Sequence, residues 1–215
     1  EFSAGIRLAR QDLLDLRDLD GVPGELDWLS RGWLDAEMSV RQAAGKPMEV
    51  SVHMLAGGVG FDSPEGRFAA EGLTLDVVAS LSESDWLAPR IEGHIQNGEL
   101  LIDDFYRDFS DGAIEFSSHA RWRDERLELQ TFSLTDQQSL TVAGRAVINA
   151  GSAPELSEIE ISRLELDFPL AYTRYVEAVL APYTLDGLTL TGRVTWSGEW
   201  ASGQFHSGEL ESTDL

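Results

Sequence analysis

By residue type, four histidines and several carboxylate pairs are best suited to chemistry. His53, His94, His119 and His206 each stand alone within strand or turn text. The chain holds no H-E-x-x-H pair for a metal, no G-x-S-x-G elbow for a nucleophile and no glycine loop that would cradle a phosphate. Asp103-Asp104, Glu83 with Asp85, Asp124-Glu125 and Glu158 with Glu160 look like turn or exposed-face residues. Glycosidase-type catalysis needs two carboxyls held roughly 5–10 Å apart across a cleft, which spacing along a chain does not establish. Asp15, Asp18 and Asp20 invite a calcium reading, but they lack the EF-hand spacing of oxygen ligands ahead of a glycine and read as an exposed acidic loop. The expectation is a protein that is not an enzyme, with no catalytic residues, no metal and no cofactor. A glycan or lipid hydrolase working through unrecognised carboxylates is the alternative from that class.

The formal net charge is −22, from 38 acidic residues against 16 basic ones, and Lys46 is the only lysine. Such a field repels phosphate backbones and anionic headgroups, which argues against nucleic acid and against broad electrostatic docking to a membrane surface. Cysteine is absent, which excludes disulfides, thiolate metal sites and cysteine nucleophiles. No run of 18 apolar residues and no signal peptide occurs in the text. Glu1-Phe2 at the start and strand text reaching Leu215 suggest an excised piece of a longer protein.

The elements that would carry any site are strands. Ile6 and Leu8 alternate within 4–10. Leu34, Ala36, Met38 and Val40, then Met48, Val50, Val52 and Met54, flank the Gly45-Lys46-Pro47 turn as a hairpin. Val59 and Phe61 start a short strand, and Leu73, Leu75, Val77, Ala79 and Leu81 make a long one. Asn97-Gly98 turns Ile91–Ile95 into Glu99–Ile102, because both residues tolerate positive φ. Ile114 to Trp122, Leu127 with Leu129, Leu140 to Ile148, Ile159 with Ile161, and Leu164 to Phe168 alternate in turn. Turns recur every eight to twelve residues or so, the spacing of an antiparallel meander. One short α-helix is expected near 169–181, with Pro169 at its first position, an apolar side of Leu170, Thr173 and Val176, and Pro182 beyond its end. Tyr172 and Tyr175 flank that side with their hydroxyls at the surface. The segment 11–20 fits neither period.

The text also repeats itself. Gly203 to Leu210 matches Gly93 to Leu100 as G-x-[IF]-x-[NS]-G-E-L, and Gly187 to Leu190 matches Gly72 to Leu75. The reading is a single β segment over 1–215 with two related halves, about 33–103 and 140–215. With so little helix, the apolar face must close on itself as a sandwich or barrel, or curl into a groove.

From Ile161 to Leu170, through a helix holding Tyr172 and Tyr175, to Pro182 and Leu185–Val194 and on to Gly208-Glu209-Leu210, the chain resembles the AsmA-like, TamB-like and YdbH-like clan of bacterial envelope proteins. Leu140-Thr141-Val142-Ala143-Gly144-Arg145-Ala146 is similar in style. The resemblance implies a long antiparallel meander curled into an open groove, a β-taco, in a periplasmic protein anchored in the inner membrane. It further implies carriage of phospholipid toward the outer membrane without a cofactor, with neighbouring segments of the same protein as partners. The amino-terminal membrane helix of the clan is not in this text. Candidate groove-lining residues are Leu34, Met38, Val50, Val52, Leu73, Leu75, Val77, Ile114, Phe116, Leu127, Leu129, Leu140, Val142, Leu188 and Leu190. An ordinary sealed core would use the same alternation, which keeps a closed structural or protein-interaction module as the rival reading. Bare edge strands would also let the chain pair with copies of itself.

Overall fold

The structure, a computed structural model, describes residues 2–17, 28–83, 85–103, 105–123, 126–136, 139–149, 155–177, 190–201 and 204–213. Among these the protein is mainly β, an open antiparallel sheet not closed into a barrel, with two short helical turns. In chain order the elements are β1 (Phe2–Asp12), α1 (Leu13–Arg17), β2 (Leu29–Gln42), β3 (Glu49–Asp62), β4 (Phe68–Ser82), β5 (Asp85–Gln96), β6 (Glu99–Ile102) and β7 (Phe105–Asp108). There follow β8 (Ile114–Arg123), β9 (Arg126–Asp136), β10 (Leu140–Asn149), β11 (Glu155–Phe168), α2 (Tyr172–Val176), β12 (Gly192–Ala201) and β13 (Gln204–Thr213).

The chain divides into two compact units. The first comprises Glu1–Ala79 and Gly93–Ile114, the second Ser80–Glu92 and Glu115–Leu215. In the first, β1, β2 and β3 pair in sequence order, β4 pairs with β6, and β6 with β7. Its buried residues include Val59, Ala70, Leu73, Phe109 and Ile114, with Ser63 and Arg107. Arg107 bonds Asp111 at 2.8 Å, and its guanidinium sits 5.5 Å from the centroid of the Phe109 ring. In the second unit, β8 to β13 pair as an unbroken meander.

Turn chemistry fixes the hairpins. At the β3–β4 turn the Ser63 Oγ accepts the amides of Arg67 and Phe68 at 3.1 and 3.0 Å. Asn97 and Gly98 take φ of 60° and 75°, the left-handed pair that a tight hairpin demands. A Cβ on Gly98 would run into the backbone of Glu71 to Leu73, so the turn also seats against β4.

Several sequence expectations are refined. Val59 and Phe61 do not begin a new strand; they continue β3. The pairs Ile159–Ile161 and Leu164–Phe168 lie in one β11 whose register shifts between them, so the break in alternation is a bulge rather than a turn. β7, with its Phe105-Tyr106-Arg107-Asp108 text, offers no alternation and was not foreseen. Of the segment 11–20 that fitted neither period, Leu13–Arg17 forms α1, and the Leu14 amide donates to Asp12 Oδ1 at 2.9 Å. Asp18 and Asp20 of the acidic loop lie outside the described residues. The repeated phrase takes two conformations: at 93–100 it spans the β5–β6 turn, and its second occurrence from Gln204 to Leu210 stays inside β13, with Gly208 opposite Gly198.

The expected helix is present as a π-helical turn, and its packing differs from the expectation. Leu170 and Thr173 are exposed, whereas Ala171, Tyr172 and Arg174 are buried. The apolar stripe does not choose the buried side; an anchored arginine does, as described below. Residues beyond Glu177 in the expected helix lie outside the described residues, as does Leu188.

Candidate functional site

The pairing registers convert alternation into faces, because residues opposite one another across a ladder point the same way. In the first unit Ala4, Val40 and Val50 form one rung, Ile6, Met38 and Val52 the next, and Leu8, Ala36 and Met54 a third. The rungs between them are polar: Ser3, Arg41 and Glu49; Gly5, Ser39 and Ser51; Arg7, Glu37 and His53. His53 Nε2 meets Asp76 Oδ1 at 2.7 Å. That contact assigns Asp76 of β4 to the polar side and therefore Leu75 and Val77 to the apolar one.

The second unit repeats the arrangement on a larger scale. Phe116, Leu134, Val142, Leu164, Trp196 and Leu210 form a single rung across six strands. Ala120, Leu129, Ala146, Ile159 and Trp200 form another, and Trp122, Leu127, Ile148 and Leu156 a third. The opposite face carries rungs such as Glu115, Thr135, Thr141, Glu165, Thr195 and Glu211. Charges on it pair laterally: Arg145 with Glu160, Arg163 with Glu165, and Arg193 with Asp167 at 2.7 Å. A recess of about 390 Å³ lies among Glu128, Arg145, Glu158, Glu160 and Glu199.

The apolar faces are not sealed among the described residues. Ten hydrophobic residues are buried, and five of these are alanines. Ile6 and Leu210 are each 67% exposed, and Leu8, Met38, Met54, Trp122 and Leu156 are exposed as well. A fully buried Leu, Ile, Val or Met contributes about 1.5–3 kcal/mol relative to the exposed side chain. The fold forgoes part of that at each of the aliphatic positions, most at Ile6 and Leu210, and a ladder with two different faces keeps it in register instead.

Of the fifteen predicted lining residues, Leu34, Val50, Val52, Leu75, Val77, Phe116, Leu127, Leu129, Leu140, Val142 and Leu190 are half-buried, and Met38 is exposed. Leu73 and Ile114 are buried at 3% and 7% and act as core. Leu190 precedes β12 rather than lying in a strand. Prediction by alternation omitted Ile6 and Leu8 at the edge, and Leu134, Leu164, Trp196 and Trp200. The register shows these to be face residues. The signal was present in β11, where Leu164 keeps step with Leu166 and Phe168; in β9 a register shift puts Leu134 out of step with Leu127 and Leu129.

Two tryptophans shape the surface. The indole of Trp33 lies where a side chain on Gly57 would stand, and that of Trp196 where side chains on Gly198 and Gly208 would stand. Each ring thus packs against a position that only glycine leaves open.

A buried polar cluster on the apolar side of the second unit sits where β9 ends. Asp136 occupies the position after Leu134 in the apolar alternation, opposite Leu140, so a carboxylate is buried where a hydrocarbon belongs. Its Oδ2 accepts hydrogen bonds from Ser139 Oγ at 2.9 Å, Arg174 Nη1 at 2.8 Å and Tyr175 hydroxyl at 2.7 Å. The Asp136 and Arg174 side chains are 1% and 6% exposed. This corrects the expectation that the Tyr175 hydroxyl points to solvent, and Tyr172 itself is buried. An ion pair so buried is stable only when every partner is present, and here it fastens α2 to the end of the β9–β10 hairpin.

No family model, curated protein or solved structure matches this chain.

Proposed function

We propose that this chain is a segment of a periplasmic bridge-like protein that binds phospholipid acyl chains on its apolar β face, between inner and outer membranes, and performs no chemistry. The observation that supports the reading most directly is the set of registered apolar rungs without a covering layer among the described residues. Moving an acyl chain of sixteen carbons through water exposes methylenes at about 0.8 kcal/mol each, on the order of 12 kcal/mol. A surface of half-buried leucine, valine and aromatic side chains offsets that cost rung by rung. Headgroups stay in solvent, so a chain of net charge −22 handles lipid without electrostatic attraction. The resemblance to the AsmA-like clan supports the same reading and supplies the compartment and the neighbouring segments as partners.

Native mass spectrometry of the purified chain, followed by solvent extraction, tests it. Co-purified phospholipid is expected, and Val77→Asp or Leu190→Asp should abolish loading with the β circular dichroism signal unchanged. A chain that emerges lipid-free and stays so after incubation with phospholipid vesicles would instead favour a face covered by another protein.

A further inference from the structure

Sulfur in this chain is confined to three methionines, Met38, Met48 and Met54, since cysteine is absent. Two of the three stand on the apolar face of the first unit. Met38 shares a rung with Ile6 and Val52, and Met54 shares the next with Leu8 and Ala36. Because Met38 lies opposite Val52 and Met54 opposite Ala36, the two thioethers are diagonal neighbours across the β2–β3 ladder, where long side chains reach one another. Each methionine is 36% exposed, so a small solute reaches it from water. Leucine would offer hydrocarbon in nearly the same volume. What methionine adds is a sulfur that accepts an oxygen atom.

We propose that Met38 and Met54 form a reversible oxidation site, at which a hydroperoxide turns the apolar face of the first unit polar and releases the hydrocarbon lying on it. The step balances without a cofactor. A sulfur lone pair attacks one peroxide oxygen, and the O–O bond breaks as the S–O bond forms. The second oxygen leaves as hydroxide and takes the proton from the first, which gives sulfoxide and water. Sulfur loses two electrons and the peroxide gains them. The sulfoxide is polar and uncharged, and its oxygen keeps its hydrogen bonds only while water stays on the rung. An acyl chain laid across that rung would strip the water away. Two sulfoxides side by side interrupt consecutive rungs at once. Thiol-dependent sulfoxide reductases, one for each epimer, reverse the change. The release of lipid rests on the acyl-chain reading above, whereas the oxidation site rests on the placement of the two sulfurs.

Hydrogen peroxide treatment of the purified chain, followed by peptide mapping by mass spectrometry, tests the site, and Nile red, an uncharged apolar dye, reports on the face before and after. Met38 and Met54 should each gain one oxygen with the β circular dichroism signal kept. Dye fluorescence and phospholipid loading by native mass spectrometry should both fall, and the reductases with thiol should restore them. A chain with Met38→Leu and Met54→Leu, compared with its own untreated state, should lose nothing to peroxide although it keeps Met48. Dye binding that survives oxidation at both positions, an equal proportional loss in the double-leucine chain, a map with the oxygen on Met48 alone, or a parent that takes up no dye would each overturn the inference. A parent that binds dye but no phospholipid before treatment contradicts the acyl-chain reading, and the dye then decides the oxidation site by itself.

Discussion

Asp136 shows what a single residue decides here. Alternation in β9 calls for a hydrocarbon at this position, and the carboxylate that replaces it is tolerated because Arg174, Ser139 and Tyr175 all donate to one oxygen. Removing the cation leaves a buried charge, so Arg174→Met should lower stability by about 3–5 kcal/mol in urea denaturation. Adding Asp136→Leu to that chain should restore much of the loss, since a buried pair replaced by apolar groups is often neutral. A second residue prediction concerns Asp35. The Arg7 guanidinium donates to it at 3.1 Å and holds its carboxyl below the usual aspartate range. A lowered carboxylate contributes stability above its unfolded pKa of about 3.9 and loses it as pH falls through the folded value. Titration of Asp35 by NMR should give a midpoint below the ordinary one, moving back toward it in Arg7→Gln.

At the level of elements, the strands were legible and their merging was not. Val59 and Phe61 looked like a new strand because Gly57 and Gly58 interrupt the alternation, yet the ladder absorbs them into β3. α1 and β7 escaped because five and four residues are too few for a period to show. The packing of α2 was misread because the anchor, Asp136, lies 38 residues before Arg174, and no local pattern joins them. Rungs, in turn, became visible only through register, which is why Leu134 and Trp196 were absent from the predicted lining. The two-faced ladder makes its own prediction. Leu164→Asp or Leu134→Asp should abolish acyl-chain loading measured by native mass spectrometry, whereas Thr131→Asp, opposite His119 on the other face, should leave it unchanged.

For the whole molecule, composition narrowed the options and the sheet gave them form. A charge of −22 with no cysteine argued against nucleic acid and thiolate chemistry. The paired registers turned a list of alternating leucines into apolar rungs on one face of the strands. The central claim is that hydrocarbon tails lie on the apolar rungs, and the tryptophans report on it directly: Trp196 belongs to such a rung, and Trp122 is 44% exposed in another. The deciding measurement is tryptophan fluorescence during titration with phospholipid brominated on its acyl chains. Saturable quenching that exceeds that of the unbrominated lipid, and that is lost in Leu164→Asp, is the predicted result; fluorescence unchanged at every lipid ratio would contradict the account.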